Sequence, residues 1–106
     1  MHTDTLQSSN MVIEETRNQV RWITLNRPRQ RNPLSLRMLD ELHAALGAAG
    51  SDPSVRAIVI AASGPVFSAG HDLREMSKQD GEDRDSQLSR MRNIFERCSN
   101  MMLGIL

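Results

Sequence analysis

Apolar positions along the chain fall into short runs divided by polar segments. Met11, Val12 and Ile13 open the first run, and Val20, Trp22 and Thr24 alternate with Arg21, Ile23 and Leu25 in the second. Arg17-Asn18-Gln19 lies between them, and asparagine tolerates a left-handed turn conformation. The pattern predicts a β-hairpin over residues 11–26. Its second strand is apolar on both sides at the centre, which predicts cover on both faces. Residues 27–33 (RPRQRNP) hold two prolines and no other apolar residue, and predict a loop.

Leu39, Leu42, Leu46 and Ala49 then recur at steps of three and four. Ser35 is placed to cap this helix, and Gly50, before Pro53, to end it. Residues 56–62 (RAIVIAA) are short, apolar and rich in β-branched side chains, which predicts a buried central strand. A β-α-β crossover, right-handed by the general rule, would join it to the second hairpin strand. Residues 78–87 (KQDGEDRDSQ) predict a mobile polar loop. Leu88, Met91, Phe95, Cys98, Met102 and Ile105 follow at steps of three and four, as one apolar helical stripe. The chain stops inside that stripe with no cap or polar tail. The expectation is a piece of a larger domain, with the stripe partly open to association. Residues 1–10 are polar and aperiodic. They predict a disordered lead-in without the marks of a secretory signal.

Composition narrows the function. The 106 residues carry 13 basic and 13 acidic side chains. That balance, with Trp22, Phe67 and Phe95 as the whole aromatic set, argues against nucleic-acid binding. No apolar run approaches the roughly 18 residues of a membrane span. Cys98 alone supports neither an internal disulfide nor a cysteine zinc site, and no two histidines have ligand spacing. Charge is nonetheless uneven. Residues 17–37 hold six arginines and no acid, while residues 72–85 hold six acids and three bases. Two solvated surfaces, pairing between the two segments, or arginines that meet phosphates all fit this distribution.

The densest chemistry lies in residues 63–76, after the C-terminal end of the apolar strand, where α/β folds place ligands. Gly64-Pro65 turns the chain, and Ser68, Ala69 and Gly70 allow close backbone approach. Asp72 and Glu75 have capping-box spacing, which predicts a helix from about Leu73 whose N-terminal amides suit an anionic oxygen.

Three matching pieces carry a family resemblance: Leu25-Asn26-Arg27-Pro28, Asn32 with Leu34-Ser35, and Val66-Phe67-Ser68-Ala69-Gly70-His71-Asp72-Leu73. From about residue 11 to residue 106 the chain resembles the crotonase family, the enoyl-CoA hydratases and isomerases. The resemblance implies an α/β unit, the N-terminal part of a crotonase-like fold: a β-hairpin, a β-α-β unit and a C-terminal amphipathic helix. It implies that the His71 backbone N–H is one of two donors to a thioester carbonyl. Ala69 and Gly70 would line the coenzyme A adenine pocket through backbone groups, and Asp72, Leu73 and Arg74 would continue that surface. The loop with Arg29, Arg31 and Asn32 would border the pantetheine and phosphates.

Two departures stand out: Pro33 follows Asn32 where alanine is usual, and His71 stands where alanine or glycine is usual. The His71 ring would only border the pocket; His43 reads as structural, and His2 lies in the lead-in. The glycine-rich second donor and the catalytic glutamates lie downstream in the family, and no Gly-Gly-Gly segment occurs here. The expected activity of the parent is acyl-CoA chemistry through a stabilised enolate, as hydration or isomerisation, with the isolated chain inactive. An acyl-CoA decarboxylase and a non-catalytic acyl-CoA-binding or scaffold protein are the alternatives. No metal or redox cofactor is expected, since coenzyme A arrives with the substrate. The parent would be a cytoplasmic homo-oligomer, a trimer or hexamer.

Overall fold

A computed structural model describes residues 10–105. The lead-in expected over residues 1–10 lies outside them except for Asn10. Strands β1 (Val12–Arg17) and β2 (Val20–Leu25) form the hairpin, in register from Val12 opposite Leu25 to Arg17 opposite Val20. Asn18 and Gln19 both have positive φ, 51° and 68°. That primed geometry matches the twist of the flanking strands.

Helix α1 (Leu36–Gly50) leads to β3 (Ala57–Ala62), which pairs parallel with β2. Sheet order is β1-β2-β3, so the hairpin's second strand is central. Ser35 caps α1 as expected, its Oγ accepting the Met38 N–H at 3.1 Å. Gly50 is the last helical residue, and the cap is Ser51 in ordinary right-handed backbone. The one-turn helix α2 (Leu73–Met76) and the long helix α3 (Arg84–Leu103) complete the described chain.

The core lies on one side of the sheet. Val12, Ile23 and Leu25 meet Met38, Leu39, Leu42, Ala45 and Leu46 of α1, and Cys98 and Met101 of α3 close the cluster. The other face of β2 is only half-buried at Val20, Trp22 and Thr24, so cover on both faces is not found. The Arg17 guanidinium lies over the Trp22 ring at 4.5 Å, a cation–π contact that shields part of it.

One further expectation is corrected. Among the described residues the segment 57–62 is an edge strand with its first residues exposed, because β2 alone flanks it. The α3 stripe is partly open as expected: Cys98 is buried, Leu88, Phe95 and Met102 are exposed, as is Ile105 just beyond the helix, and Ile94 and Met101 from outside the stripe share the burial. The apolar arc is wider than one helix contact, and α1 meets only its edge. Arg97 pairs with Asp40 of α1 at 2.8 Å and Arg90 with Glu82 at 2.9 Å, while burial of Ile94, Cys98 and Met101 sets which side of α3 faces the core. Helix α3 also starts inside the expected loop 78–87, because Asp83 Oδ1 accepts the Ser86 N–H at 2.7 Å and caps it.

Candidate functional site

The loop after β2 and the loop after β3 are joined through Asn32, whose side chain is 0 % exposed. Its Oδ1 accepts the Arg27 N–H at 2.7 Å, and its Nδ2 donates to the carbonyls of Ser63 at 3.0 Å and Val66 at 3.1 Å. A buried amide with both its donors and its acceptor engaged suits this position, since an unpaired one would cost more than it returns. Arg31 and Asn32 are both left-handed, with φ 63° and 51°. That kink turns the Asn32 carbonyl to the Ser68 hydroxyl, which donates to it at 2.8 Å.

The bend at residues 68–71 is held from both sides. The Ala69 N–H donates to the Arg31 carbonyl at 2.9 Å, and the Gly70 N–H donates to Ser68 Oγ at 3.0 Å. The Gly70 carbonyl accepts the Leu34 N–H at 2.7 Å, within an isolated parallel bridge of Leu34 with His71. Gly70 has φ 89°, a conformation that favours glycine. The His71 N–H has no hydrogen-bond partner among the described residues. The peptide is trans, so this N–H points away from the Leu34 side that holds its own carbonyl.

The His71 ring packs edge-on against Phe95 of α3, with centroids 5.3 Å apart and planes at 83°. Its Nδ1 is buried without a hydrogen-bond partner among the described residues. Phe95 also lines an open groove along α3 with Leu88, Met91 and Glu96. Arg92, Ser99 and Asn100 complete the groove, and among the described residues Phe95 is its one link to the bend.

The other expected site residues divide. Ala69, Gly70 and His71 form the bend, and Arg31 meets it through its backbone. Asn32 is brought there too, but its side chain is used up inside the protein; direct contact with a ligand through that side chain is corrected to a structural role. Arg29 and Arg31 are exposed, and their guanidinium groups make no ion pair or hydrogen bond among the described residues. The other arginines of the basic segment are engaged elsewhere. Arg21 joins Glu14 and Asp52, and Arg37 joins Glu41. None of the partners just named lies in the acidic segment 72–85.

Asp72 Oδ1 accepts the Arg74 N–H at 2.9 Å. Glu75 does not complete a capping box; its Oε1 accepts the Leu36 N–H of α1 at 2.9 Å instead. Helix α2 is one turn long, so its aligned peptide dipoles add little to an anion site, contrary to the expected helix-terminus contribution. Leu73 and Arg74 are exposed on it.

The sequence reading missed the parts played by the Leu34 N–H, Phe95 and the Ser68 hydroxyl. Ser68 carried a signal, as a hydroxyl two residues before a glycine that needs support. Phe95 carried none, because helical periodicity says nothing about which residue meets a distant bend.

The family model for enoyl-CoA hydratase/isomerase matches residues 15–104. The chain belongs to the enoyl-CoA hydratase/isomerase family. It is 41 % identical over 98 residues to the mitochondrial enoyl-CoA hydratase domain-containing protein 3 of Danio rerio, covering 92 % of this chain and 32 % of that protein. The crystal structure of an enoyl-CoA hydratase from Mycobacterium smegmatis superposes with a TM-score of 0.76 at 39 % identity, over 91 % of this chain and 35 % of that one. Human enoyl-Coenzyme A hydratase domain-containing protein 3 gives a TM-score of 0.79 at 31 % identity, over 91 % and 36 %. The chain therefore spans about a third of the length of these relatives, and its α/β unit is a portion of the crotonase fold they share. Among the described residues no helix is long and apolar enough to cross a membrane.

Proposed function

We propose that this chain provides the coenzyme A-binding edge and one carbonyl-polarising donor of an acyl-CoA enzyme that works through a stabilised enolate. Enoyl-CoA hydration or isomerisation is the reaction class we assign to the whole protein. The observation that carries the reading is the unpaired His71 N–H, at a bend whose Ala69 N–H, Gly70 N–H and Gly70 carbonyl are each bonded within the protein. A thioester oxygen accepting that N–H gains stabilisation as negative charge builds on it, and removing one such donor typically costs about 3–4 kcal/mol of transition-state stabilisation. The free guanidinium groups of Arg29 and Arg31 suit the phosphates of coenzyme A. Ala69, Gly70 and the exposed surface of Asp72, Leu73 and Arg74 would line its adenine end.

A second reading rests on the carboxylates nearest the bend. Asp72 caps α2 and Glu75 caps α1, so neither is free as a general acid or base. The chain by itself would then bind acyl-CoA without turning it over, and the acid–base groups of the whole protein would come from elsewhere. Titration with butyryl-CoA followed by an assay with crotonyl-CoA separates the readings. Binding with loss of the enoyl absorbance supports turnover, and binding without it supports the acyl-CoA-binding unit. Failure to bind butyryl-CoA overturns both.

We assign the whole protein to a homo-oligomer, a trimer or hexamer, which sedimentation tests. The proposed compartment is the cytoplasm, and the relatives that are mitochondrial by name make cell fractionation the deciding measurement.

A further inference from the structure

We propose that Ser68 is a positioning residue that aims the His71 N–H, acting through Gly70 and without touching the substrate. The inference rests on the reading of that N–H as the thioester donor. Gly70 joins two peptide planes. The plane before it is fixed by its N–H donating to Ser68 Oγ at 3.0 Å, and the plane after it by its carbonyl accepting the Leu34 N–H at 2.7 Å. The second plane also contains the His71 N–H, at its opposite edge. With both planes anchored, the φ of 89° at Gly70 is set and the N–H has one direction.

Ser68 holds that arrangement because its hydroxyl works in both senses. The proton goes to the Asn32 carbonyl at 2.8 Å, and the oxygen receives the Gly70 N–H. Asn32 in turn is locked by three bonds that span both loops. The relay therefore runs from the buried amide of Asn32 to the hydroxyl, to Gly70, and to the peptide that presents the donor. Without the hydroxyl, the plane before Gly70 is released. A glycine so freed on one side samples more conformations, and the Leu34 bond alone is left to hold the aim of the N–H.

The test uses the full chain and two ligands that differ in one carbonyl: butyryl-CoA and its thioether analogue S-butyl-CoA. Calorimetric titration of the wild type gives a thioester preference on the order of fivefold, the size of one net hydrogen bond. Ser68→Ala brings the ratio close to one while S-butyl-CoA binds as before, and Ser68→Thr, which keeps the hydroxyl, retains the preference. A thermal melt confirms that each variant is folded; where Ser68→Ala fails to fold, Ser68→Cys, with its weaker donor and acceptor, replaces it and gives an intermediate ratio. Retention of the full preference in a folded Ser68→Ala or Ser68→Cys overturns the inference and leaves the reading of His71 intact. Loss of the preference in Ser68→Thr as well overturns the relay. A wild type with no preference overturns the reading of His71 itself.

Discussion

The carboxylate of Glu75 accepts the Leu36 N–H at 2.9 Å, so a residue of the one-turn helix α2 closes the N-terminus of α1 from 39 positions away. Ser35 already serves the Met38 N–H at that end. The two acceptors together satisfy two of the free amides of the first turn and place negative charge at the positive end of the helix dipole. Glu75→Ala is expected to lower stability by about 1 kcal/mol, read as a shift of the urea midpoint.

Asn32 carries a larger load. Asn32→Ala leaves the Arg27 N–H and the carbonyls of Ser63 and Val66 without their partner in a buried place. The expected loss is about 3 kcal/mol, and hydrogen exchange of residues 63–70 should quicken more than that of α1.

Two glycines with similar backbone angles predict different outcomes. A Cβ on Gly64, at φ 84°, would stand 2.7 Å from Pro28 Cβ, whereas one on Gly70 would meet nothing within 4 Å. Gly64→Ala thus combines a left-handed alanine with a clash between two loops, for about 3 kcal/mol. Gly70→Ala carries only the conformational term of roughly 1–2 kcal/mol. Denaturant midpoints of the two variants rank them.

Arg90 donates two hydrogen bonds to Glu82, at 2.9 and 3.1 Å, and with the Gln79 N–H they hold the Glu82 carboxyl below its ordinary value of 4.5. The folded form therefore binds this proton less readily than the unfolded chain. The stabilisation is complete above the ordinary value and is lost as pH falls through the lowered one. Glu82→Gln should show a shallower fall in urea midpoint on acidification than the wild type, with the difference confined to the acid side.

The two sides of α3 should respond in opposite ways. Ile94 is 1 % exposed, and Ile94→Ala is expected to cost about 2–4 kcal/mol through the cavity it leaves. Met102 is 53 % exposed, and Met102→Ser should change the urea midpoint little while raising solubility. Paired urea titrations and light scattering check both.

Much of this architecture was legible in the residues. Asn18 announced the hairpin, Ser35 announced α1, and the run from Val66 to Leu73 announced the family. What was not legible depends on neighbours. An apolar run such as Ala57–Ala62 looks alike at the centre and at the edge of a sheet, because composition does not say how many strands flank it. The stripe on α3 is partly open as expected, but that Ile94 and Met101 join Cys98 in the core depends on where α1 lies, which no local pattern encodes. Glu75 had the spacing to cap its own helix and caps another, a choice made by tertiary proximity. The left-handed pair Arg31-Asn32 had no glycine to mark it. Only the bonds that pay for it across the two loops explain it.

The bonds that build the bend join residues 31 to 36 positions apart, from Asn32 to Ser63, Val66 and Ser68. The hairpin needs only a two-residue reversal at Asn18-Gln19 and can close within microseconds. The crossover must bring distant stretches together before any of the Asn32 bonds exist, and that waiting time is set by chain entropy. On the proposed reading, a molecule halted after its first two strands lacks the bend that would meet a thioester. Completion of the bend is thus a late event in the life of each newly made chain, and on the proposed reading the onset of acyl-CoA binding would serve as a clock for the arrival of the native state.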